Sequence, residues 1–237
     1  MKLPETLRGP LFGLPILIML AASGCLPGCA QPHNAPPPRA TPGVHTYAGV
    51  DDSVGMEPHL GQETTLLTAL NGRLDPDKDF LTLLRVNYAA TEFFNDPPPD
   101  STEELRGLLL RTFRARPARD GTRPAQFFRE IARRTAHETR TTVVVYLSDG
   151  DQDFPAAQEE PALQSAGKSL AGTPNVKAVI LCGASPENWA AWRRRFAMLD
   201  DSGRLHLVPL DRGALNKISA YITAAGCRSG RGDAAAL

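Results

Sequence analysis

The sequence predicts an α/β fold in which helices cover both faces of a mostly parallel sheet, a three-layer, doubly wound arrangement. The first observation is the run "TTVVVYLSD" at 141–149, whose β-branched residues are typical of a central parallel strand that is buried on both faces. The second is the alternation of strand-like and helix-like segments through the second half of the chain. Such alternation indicates a parallel sheet wrapped by helices.

Other strand-like segments lie on both sides of this central run. The first is "HTYAGV", which leads directly into Asp51. A longer apolar segment follows it, and "TEFF" is placed to be the hairpin partner of that segment before the break at "NDPPP". The predicted strands, besides the central run, are 45–50, 79–90, 91–94, 176–183 and 204–210.

The helix-like segments carry end signals. Gly72 follows one of them as a C-cap signal. Ser101 and Glu104 have the spacing of a capping box at the start of another. Pro124 lies in the first turn of a third, where proline is favoured. The predicted helices are 57–72, 101–113, 123–135, 185–199 and 214–225.

The segment "SPENWAAWRRRFAML" at 185–199 is predicted to be a single helix with an aromatic face. Trp189, Trp192, Phe196 and Leu199 recur at helical spacing along it. We expect this face to pack on the sheet as core and not to contact a partner protein.

The first residues of the chain predict a secretory signal. An apolar run at 11–22 follows a weakly basic start and is shorter than a typical membrane span. The run ends in "ASGC", which resembles bacterial lipoprotein signals, in which a cysteine after small residues is lipidated. This resemblance implies a signal peptide at 1–24 and a lipid anchor on Cys25, with Cys29 of "LPGC" as the rival cysteine and an ordinary cleaved signal as the alternative.

The rest of the chain divides into a tether, a domain and a tail. Residues 25–44 are rich in proline and nearly uncharged, which predicts an extended tether. The folded domain is predicted at 45–226, and 227–237 is predicted to be a flexible tail. The lipid anchor implies a place in the bacterial cell envelope, at the periplasmic or outer face, with the outer membrane favoured if two membranes are present.

The chain is electrically balanced. Its 26 Lys and Arg residues match 26 Asp and Glu residues, so the formal net charge is zero. This balance gives no electrostatic basis for nucleic-acid binding.

Acidic residues follow two of the predicted strands at the point where each strand ends. Asp51 and Ser53 come after the first strand in "DDSVG", and Asp149 ends the central one in "YLSDG". In open parallel sheets, ligands bind beyond the carboxyl ends of the strands, where the strand order reverses. Converging carboxylates repel one another unless a positive charge lies between them. Carboxylate and hydroxyl oxygens suit a hard cation such as Mg²⁺, Mn²⁺ or Ca²⁺.

These loops resemble the metal-ion-dependent adhesion site of von Willebrand factor type A (vWA) domains, which have a Rossmann-like sheet. Asp51 and Ser53 match the first loop of that site, Thr122 of "DGTRPAQFF" the second, and Asp149 the third. The resemblance implies that these four residues hold a divalent cation and that an acidic side chain of another envelope or secreted protein completes the cation's shell. It therefore implies protein binding and not catalysis.

Gly55 departs from the vWA pattern, because the family has a second serine at this position. Glycine offers no hydroxyl, so one direct ligand is missing. Water, Asp52 or Glu57 could fill the gap, and the cation would bind weakly. The alternative is a vWA-like scaffold that binds no metal.

An enzymatic alternative uses the same acids. In a Mg²⁺-dependent phosphohydrolase, Asp51 would be the nucleophile and Asp149 or Asp153 would hold the metal. Against this alternative, the chain has no Gly-rich phosphate-binding loop followed by a lysine.

The cysteines give one geometric prediction. Cys182 is at the carboxyl end of a strand, at the top of the sheet. Cys227 follows a helix that runs antiparallel to the strands, so it should lie near the bottom of the sheet. A strand of about six residues spans roughly 20 Å, and a disulfide needs Cα atoms within about 7 Å. We therefore expect no bond between these two residues.

Overall fold

The computed structural model describes residues 43–114, 121–150 and 156–229. Within these ranges the chain forms a six-stranded sheet, and the strand order is β3-β2-β1-β4-β5-β6. All neighbouring strands are parallel except β2 and β3, which form the predicted antiparallel hairpin. The strands are β1 (Val44–Asp51), β2 (Phe80–Val86), β3 (Ala90–Asp96), β4 (Thr141–Leu147), β5 (Val176–Cys182) and β6 (Leu205–Val208).

Helices connect the strands and cover the sheet. A short 3₁₀ helix (Val54–His59) follows β1 and leads into α1. The helices are α1 (Leu60–Asn71), α2 (Thr102–Arg114), α3 (Pro124–Thr135), α4 (Ala156–Gly172), α5 (Pro186–Arg195), α6 (Ala197–Asp201) and α7 (Ala214–Ser229). No helix in the described ranges is both long enough and apolar enough to cross a bilayer. The predicted signal peptide and Cys25 lie outside these ranges.

The two central strands are buried along their whole length, as the sequence predicts. Every residue of β1 and of β4 is buried, and β1 has a parallel partner on each side. The chain passes from β1 outward to β2 and β3 and then returns to β4 on the other side of β1. The strand order therefore reverses between β1 and β4, which is where a ligand site is expected.

Two apolar cores, one on each face of the sheet, complete the three layers. One lies under α1, α2 and α7, and the other under α3, α4, α5 and α6. This arrangement confirms the predicted three-layer α/β fold. The first core includes Leu67, Leu70, Leu105, Leu109 and Ile218, and the second includes Phe127, Phe128, Ile131, Tyr146 and Trp192.

The first predicted helix differs from the observed one at its start. The sequence predicts a helix from residue 57, but 54–59 form a 3₁₀ helix that contains Pro58, and α1 begins at Leu60. Proline lacks the N–H that a regular α-helical turn would use, which favours a separate, tighter turn here. The helix ends before Gly72, as predicted, although Gly72 has an ordinary right-handed conformation with φ −66°.

The aromatic segment at 185–199 forms two helices, so the prediction of a single helix is wrong. The break lies at Phe196, whose φ of −113° and ψ of 33° are not helical. This break lets both Trp192 and Phe196 enter the core, where each is 1% exposed and their rings stack. The prediction that this aromatic face packs on the sheet is confirmed.

Candidate metal centre

Asp51 is the centre of a hydrogen-bonded cluster at the end of β1. Its carboxylate is fully buried. Oδ1 accepts hydrogen bonds from the backbone N–H of Ser53 at 2.9 Å and from the hydroxyl of Thr122. Oδ2 accepts a hydrogen bond from the hydroxyl of Ser148 at 2.7 Å. Two segments that are distant in sequence from β1, those of Thr122 and Ser148, therefore converge on the Asp51 carboxylate.

Glycine at position 49 lets the Thr122 segment approach Asp51. Gly49 and Asp51 lie on the same face of β1, because side chains alternate along a strand. A Cβ added at Gly49 would lie 2.5 Å from the ring of Phe127, so any larger residue would displace α3. Thr122 lies two residues before α3, and the close approach of this helix places the Thr122 hydroxyl on the Asp51 carboxylate.

Asp149 lies opposite Gly55. A Cβ added at Gly55 would be 3.0 Å from Oδ2 of Asp149 and 3.8 Å from Oγ of Ser53. The backbone N–H of Asp149 donates to Sδ of the buried Met56 at 3.1 Å, which ties the two loops together. The Asp149 carboxylate and the Ser53 hydroxyl thus both border the position where the vWA pattern has its second serine.

The structure shows where the two side chains suggested for the gap at Gly55 lie. Asp52 is buried and lies beside β2, where its Oδ2 is 3.7 Å from Nε of Arg85. Its backbone N–H donates to the carbonyl of Val86 at 2.9 Å, which ties the main chain of Asp52 to the end of β2. Glu57 is exposed on the 3₁₀ helix. The group next to Gly55 is instead the carboxylate of Asp149.

Sequence reasoning missed Ser148. The register of the sheet pairs Val50 with Leu147, so the next residues of the two strands, Asp51 and Ser148, lie side by side. The Ser148 hydroxyl bonds to Asp51 and also accepts the N–H of Gly150 at 3.0 Å. The sequence gives one indication of Ser148, which is its position directly before Asp149 in "YLSDG". The role of Ser148 nevertheless depends on which strand lies beside β4.

Glu159 was also missed, and it positions the Thr122 segment from α4. Its Oε2 accepts the N–H of Ala125 at 3.2 Å in the first turn of α3, and its Oε1 lies 3.9 Å from Nε of Arg123. The carboxylate is 4% exposed. The first N–H groups of a helix have no acceptor within the helix, and the buried Glu159 carboxylate accepts a hydrogen bond from one of them.

Burial and hydrogen bonding act on the Asp51 carboxyl in opposite directions. Burial raises the pKa of Asp51 above its usual value, and the hydrogen bonds from Thr122, Ser148 and Ser53 lower it in part. A carboxylate in this position is costly without a positive charge nearby.

The oxygen donors fit a hard cation. The two carboxylates are those of Asp51 and Asp149, and the hydroxyls are those of Ser53 and Thr122, with Ser148 behind them. In the described ranges, no group of three or more His, Cys, Asp or Glu side chains is placed to hold a metal. A donor set of carboxylates and hydroxyls suits Mg²⁺, Mn²⁺ or Ca²⁺ better than a soft metal ion. Metal binding by these residues stays a prediction.

Cys182 and His45 are buried side chains that are not among the four predicted ligands. Cys182 is a free, buried thiol, and burial raises its pKa to about 12. His45 is buried at the start of β1, with Nδ1 2.6 Å from Oε2 of Glu138 and Nε2 2.8 Å from Oγ1 of Thr82. It is a paired core histidine at the opposite end of β1 from Asp51. Asp153 and the side chain of Cys227 lie outside the described residues.

Comparisons with known proteins give information about the fold only. No protein-family model and no curated protein sequence matches the chain. Among solved structures, an aerotolerance-related membrane protein from Bacteroides fragilis is similar, with a TM-score of 0.55 and 16% identity over 77% of this chain and 100% of that one. The PilB minor pilin from Streptococcus sanguinis has a TM-score of 0.55 and 10% identity over 81% of this chain and 62% of that one.

A third similar structure contains a metal. Proximal thread matrix protein 1 from the mussel byssus, with a zinc-occupied metal-ion-dependent adhesion site motif, has a TM-score of 0.53 and 14% identity. The match covers 80% of this chain and 46% of that one. At these identities the comparisons bear on the fold alone, and together with the strand order they show that the chain has a vWA-like α/β fold.

Proposed function

We propose that this chain is a cell-envelope protein whose vWA-like domain binds another protein through a divalent cation. Asp51, Ser53, Thr122 and Asp149 hold the cation, directly or through water. The observation that carries the proposal is the convergence of the Thr122 and Ser148 hydroxyls on the buried Asp51 carboxylate, with Asp149 across the gap at Gly55.

The donor set allows the cation to bind a group from another protein. Four protein ligands leave part of the shell of a hard cation, which takes six or more oxygens, open to water or to an incoming carboxylate. An acidic side chain from a partner protein can fill that position. The similarity to a pilin and to a zinc-occupied adhesion-site protein supports this proposal. No feature of the described residues favours the phosphohydrolase alternative.

The open position predicts a measurable effect on solvent water. Mn²⁺ bound to the wild-type chain should enhance the relaxation of water protons, because exchanging water occupies the part of the shell that the protein leaves free. Adding millimolar glutarate should reduce this enhancement, since its carboxylate replaces that water.

Thr122→Val, which keeps the shape of the side chain but removes the hydroxyl, should weaken Mn²⁺ binding about tenfold. Titration of free Mn²⁺ by electron paramagnetic resonance measures this affinity.

A remote threonine supplies the matched control. Thr65 is exposed on α1 and its hydroxyl donates to the carbonyl of Gly61, so Thr65→Val should leave Mn²⁺ affinity unchanged. Equal Mn²⁺ binding by wild type and Thr122→Val would contradict the assignment of Thr122. A relaxation enhancement that glutarate does not change would contradict the open position.

The envelope location belongs to the same proposal and rests on the signal-like start of the chain. Cys25 carries the lipid anchor, and the Pro-rich segment between Cys25 and β1 holds the domain away from the membrane. A single acyl chain anchors a protein only weakly, so stable attachment requires more than one chain on the mature cysteine.

Replacement of Cys25 tests this anchor. In cells, Cys25→Ser should give an unprocessed or released form, because serine offers no thiol for lipidation. Membrane fractionation and the mass of the mature chain measure the result, and Cys29→Ser is the matched control. Normal membrane retention of the double variant Cys25→Ser/Cys29→Ser would rule the anchor out.

A further inference from the structure

We infer that the β2–β3 turn and the outer face of α3 extend the candidate cation site into a surface that binds an acidic segment of the partner protein. We call this surface the turn face and define it by Tyr88, Gln126 and Arg129. The inference rests on the proposed function, because the cation holds the first acidic side chain of that segment.

The turn is attached to two of the loops that carry the candidate ligands. The carbonyl of Val86, at the end of β2, accepts the N–H of Asp52 at 2.9 Å. The carbonyl of Asn87 accepts the N–H of Arg123, the residue after Thr122, also at 2.9 Å. The side chain of Asn87 accepts the N–H of Ala89 at 3.2 Å, which holds the turn itself. A surface fixed in this way loses little freedom when a partner binds.

Tyr88 gives this turn an exposed aromatic ring. Its side chain is 47% exposed, and among the described residues the other large exposed hydrophobic residue is Met198, on α6. Other aromatic rings of the described residues, including those of Trp192 and Phe196, are buried. Tyrosine is enriched among the residues that dominate protein interfaces, because it supplies a large contact area and a polar tip.

A groove that contains an exposed arginine continues from the turn along α3. Its volume is about 370 Å³, and it is lined by Ala89, Ala90, Gln126, Arg129, Glu130 and Arg133. Glu130 is held by Arg133 and by Arg134, with N–O distances of 2.7 Å in each case. Arg129 is exposed and, within the described ranges, has no carboxylate at ion-pair distance. The groove therefore has one positive charge in excess.

The distance between the divalent cation and Arg129 determines the spacing of acidic residues that a partner segment needs. Arg129 lies about 8 Å along α3 from Pro124, at ~1.5 Å per residue. An extended peptide advances ~3.3 Å per residue. Thr122 lies two residues before α3, so a partner segment whose second acidic residue follows the first by two or three positions would reach from the cation towards Arg129.

Selection of peptides on the full chain tests the turn face. A phage library of random linear peptides is selected on the full-length protein in millimolar Mn²⁺ and eluted with EDTA. We expect the eluted peptides to contain paired acidic residues at this spacing. A synthetic peptide of the commonest sequence should then bind Arg129→Glu and Tyr88→Ala about tenfold more weakly than wild type. Arg194→Glu changes an exposed arginine of α5 and should leave its affinity unchanged.

The outcomes separate this inference from the proposed function. If Asp51→Ala abolishes binding while Arg129→Glu and Tyr88→Ala bind like wild type, the cation site stands and the turn face is wrong. If the peptides bind equally in EDTA and to Asp51→Ala, the proposed cation dependence is wrong. A selection that yields no paired acidic residues, or equal losses in Arg129→Glu and Arg194→Glu, also overturns the turn face.

Discussion

Replacement of Trp192 by alanine is expected to lower the free energy of unfolding by about 3–5 kcal/mol. The indole is 1% exposed and packs on the rings of Phe128 and Phe196, with centroid distances of 6.3 Å and 5.8 Å. The guanidinium of Arg195 covers it, with its carbon 4.9 Å from the ring centroid. Alanine would leave a cavity between α5 and the sheet that these rings cannot fill. Chemical denaturation followed by circular dichroism measures the change.

The same side chain supports the loop that carries Asp149. A Cβ added at Gly150 would lie 3.0 Å from Nε1 of Trp192, and Gly150 has a positive φ of 83°. Loss of the ring should therefore loosen this loop as well as the core. Within the described ranges the Trp192 N–H has no hydrogen-bond acceptor.

Two further variants make the interpretation specific. Trp192→Phe keeps most of the apolar ring, so it should cost less than half of what alanine costs. Arg194→Ala removes the exposed neighbour and should change stability by less than about 0.5 kcal/mol. Unchanged melting of Trp192→Ala, together with lost binding of a selected peptide, would show that the ring contacts a partner and not the core.

The elements that the sequence predicts well are those defined by local pattern. The β-branched run of β4, the capping serine of α2 and Pro124 at the start of α3 each act within a few residues of the chain. The strand-end position of Asp51 and Asp149 also follows from local pattern, because each acid comes directly after an apolar strand. These features were sufficient to locate the candidate site.

The features that were missed depend on contacts between distant segments. Ser148 lies beside Asp51 because β4 pairs with β1, and nothing near residue 148 specifies that pairing. Asp52 contacts Arg85 because β2 pairs with β1, which the local sequence does not specify. The break at Phe196 allows two rings to enter one core, which the helical spacing alone does not indicate. In each case tertiary packing decides between conformations that the local sequence permits.

A divalent cation is expected to stabilise the wild-type fold and to have no effect on Asp51→Ala. The ligands come from three segments, so the site exists only in the folded chain, and cation binding adds to the free energy of unfolding. The gain is about 2.7 kcal/mol when the free cation is a hundredfold above its dissociation constant. Because Gly55 supplies no hydroxyl ligand, we expect weak binding that requires millimolar Mn²⁺ or Mg²⁺. Thermal melts in EDTA and in each metal ion measure the effect.

Gly55→Ser should increase this stabilisation by restoring the missing hydroxyl. Gly55 is not among the described glycines with a positive φ, so serine can adopt its backbone conformation. The added Cβ would lie 3.0 Å from Oδ2 of Asp149, and the carboxylate must move by a few tenths of an ångström to accept it. The new hydroxyl would then border both Asp149 and Ser53, where a cation ligand is lacking.

Gly61→Ser is the matched control for this variant. Gly61 lies in α1, and a Cβ added there meets nothing within 4 Å. This change can alter helix stability, but it should not alter the difference between melts in Mn²⁺ and in EDTA. A larger metal-dependent shift in Gly55→Ser than in both wild type and Gly61→Ser would therefore locate the cation at this position. If wild type, Asp51→Ala and Gly55→Ser melt alike in every condition, the hydroxyl and carboxylate cluster binds no cation. The vWA-like domain would then have to bind its partner without one.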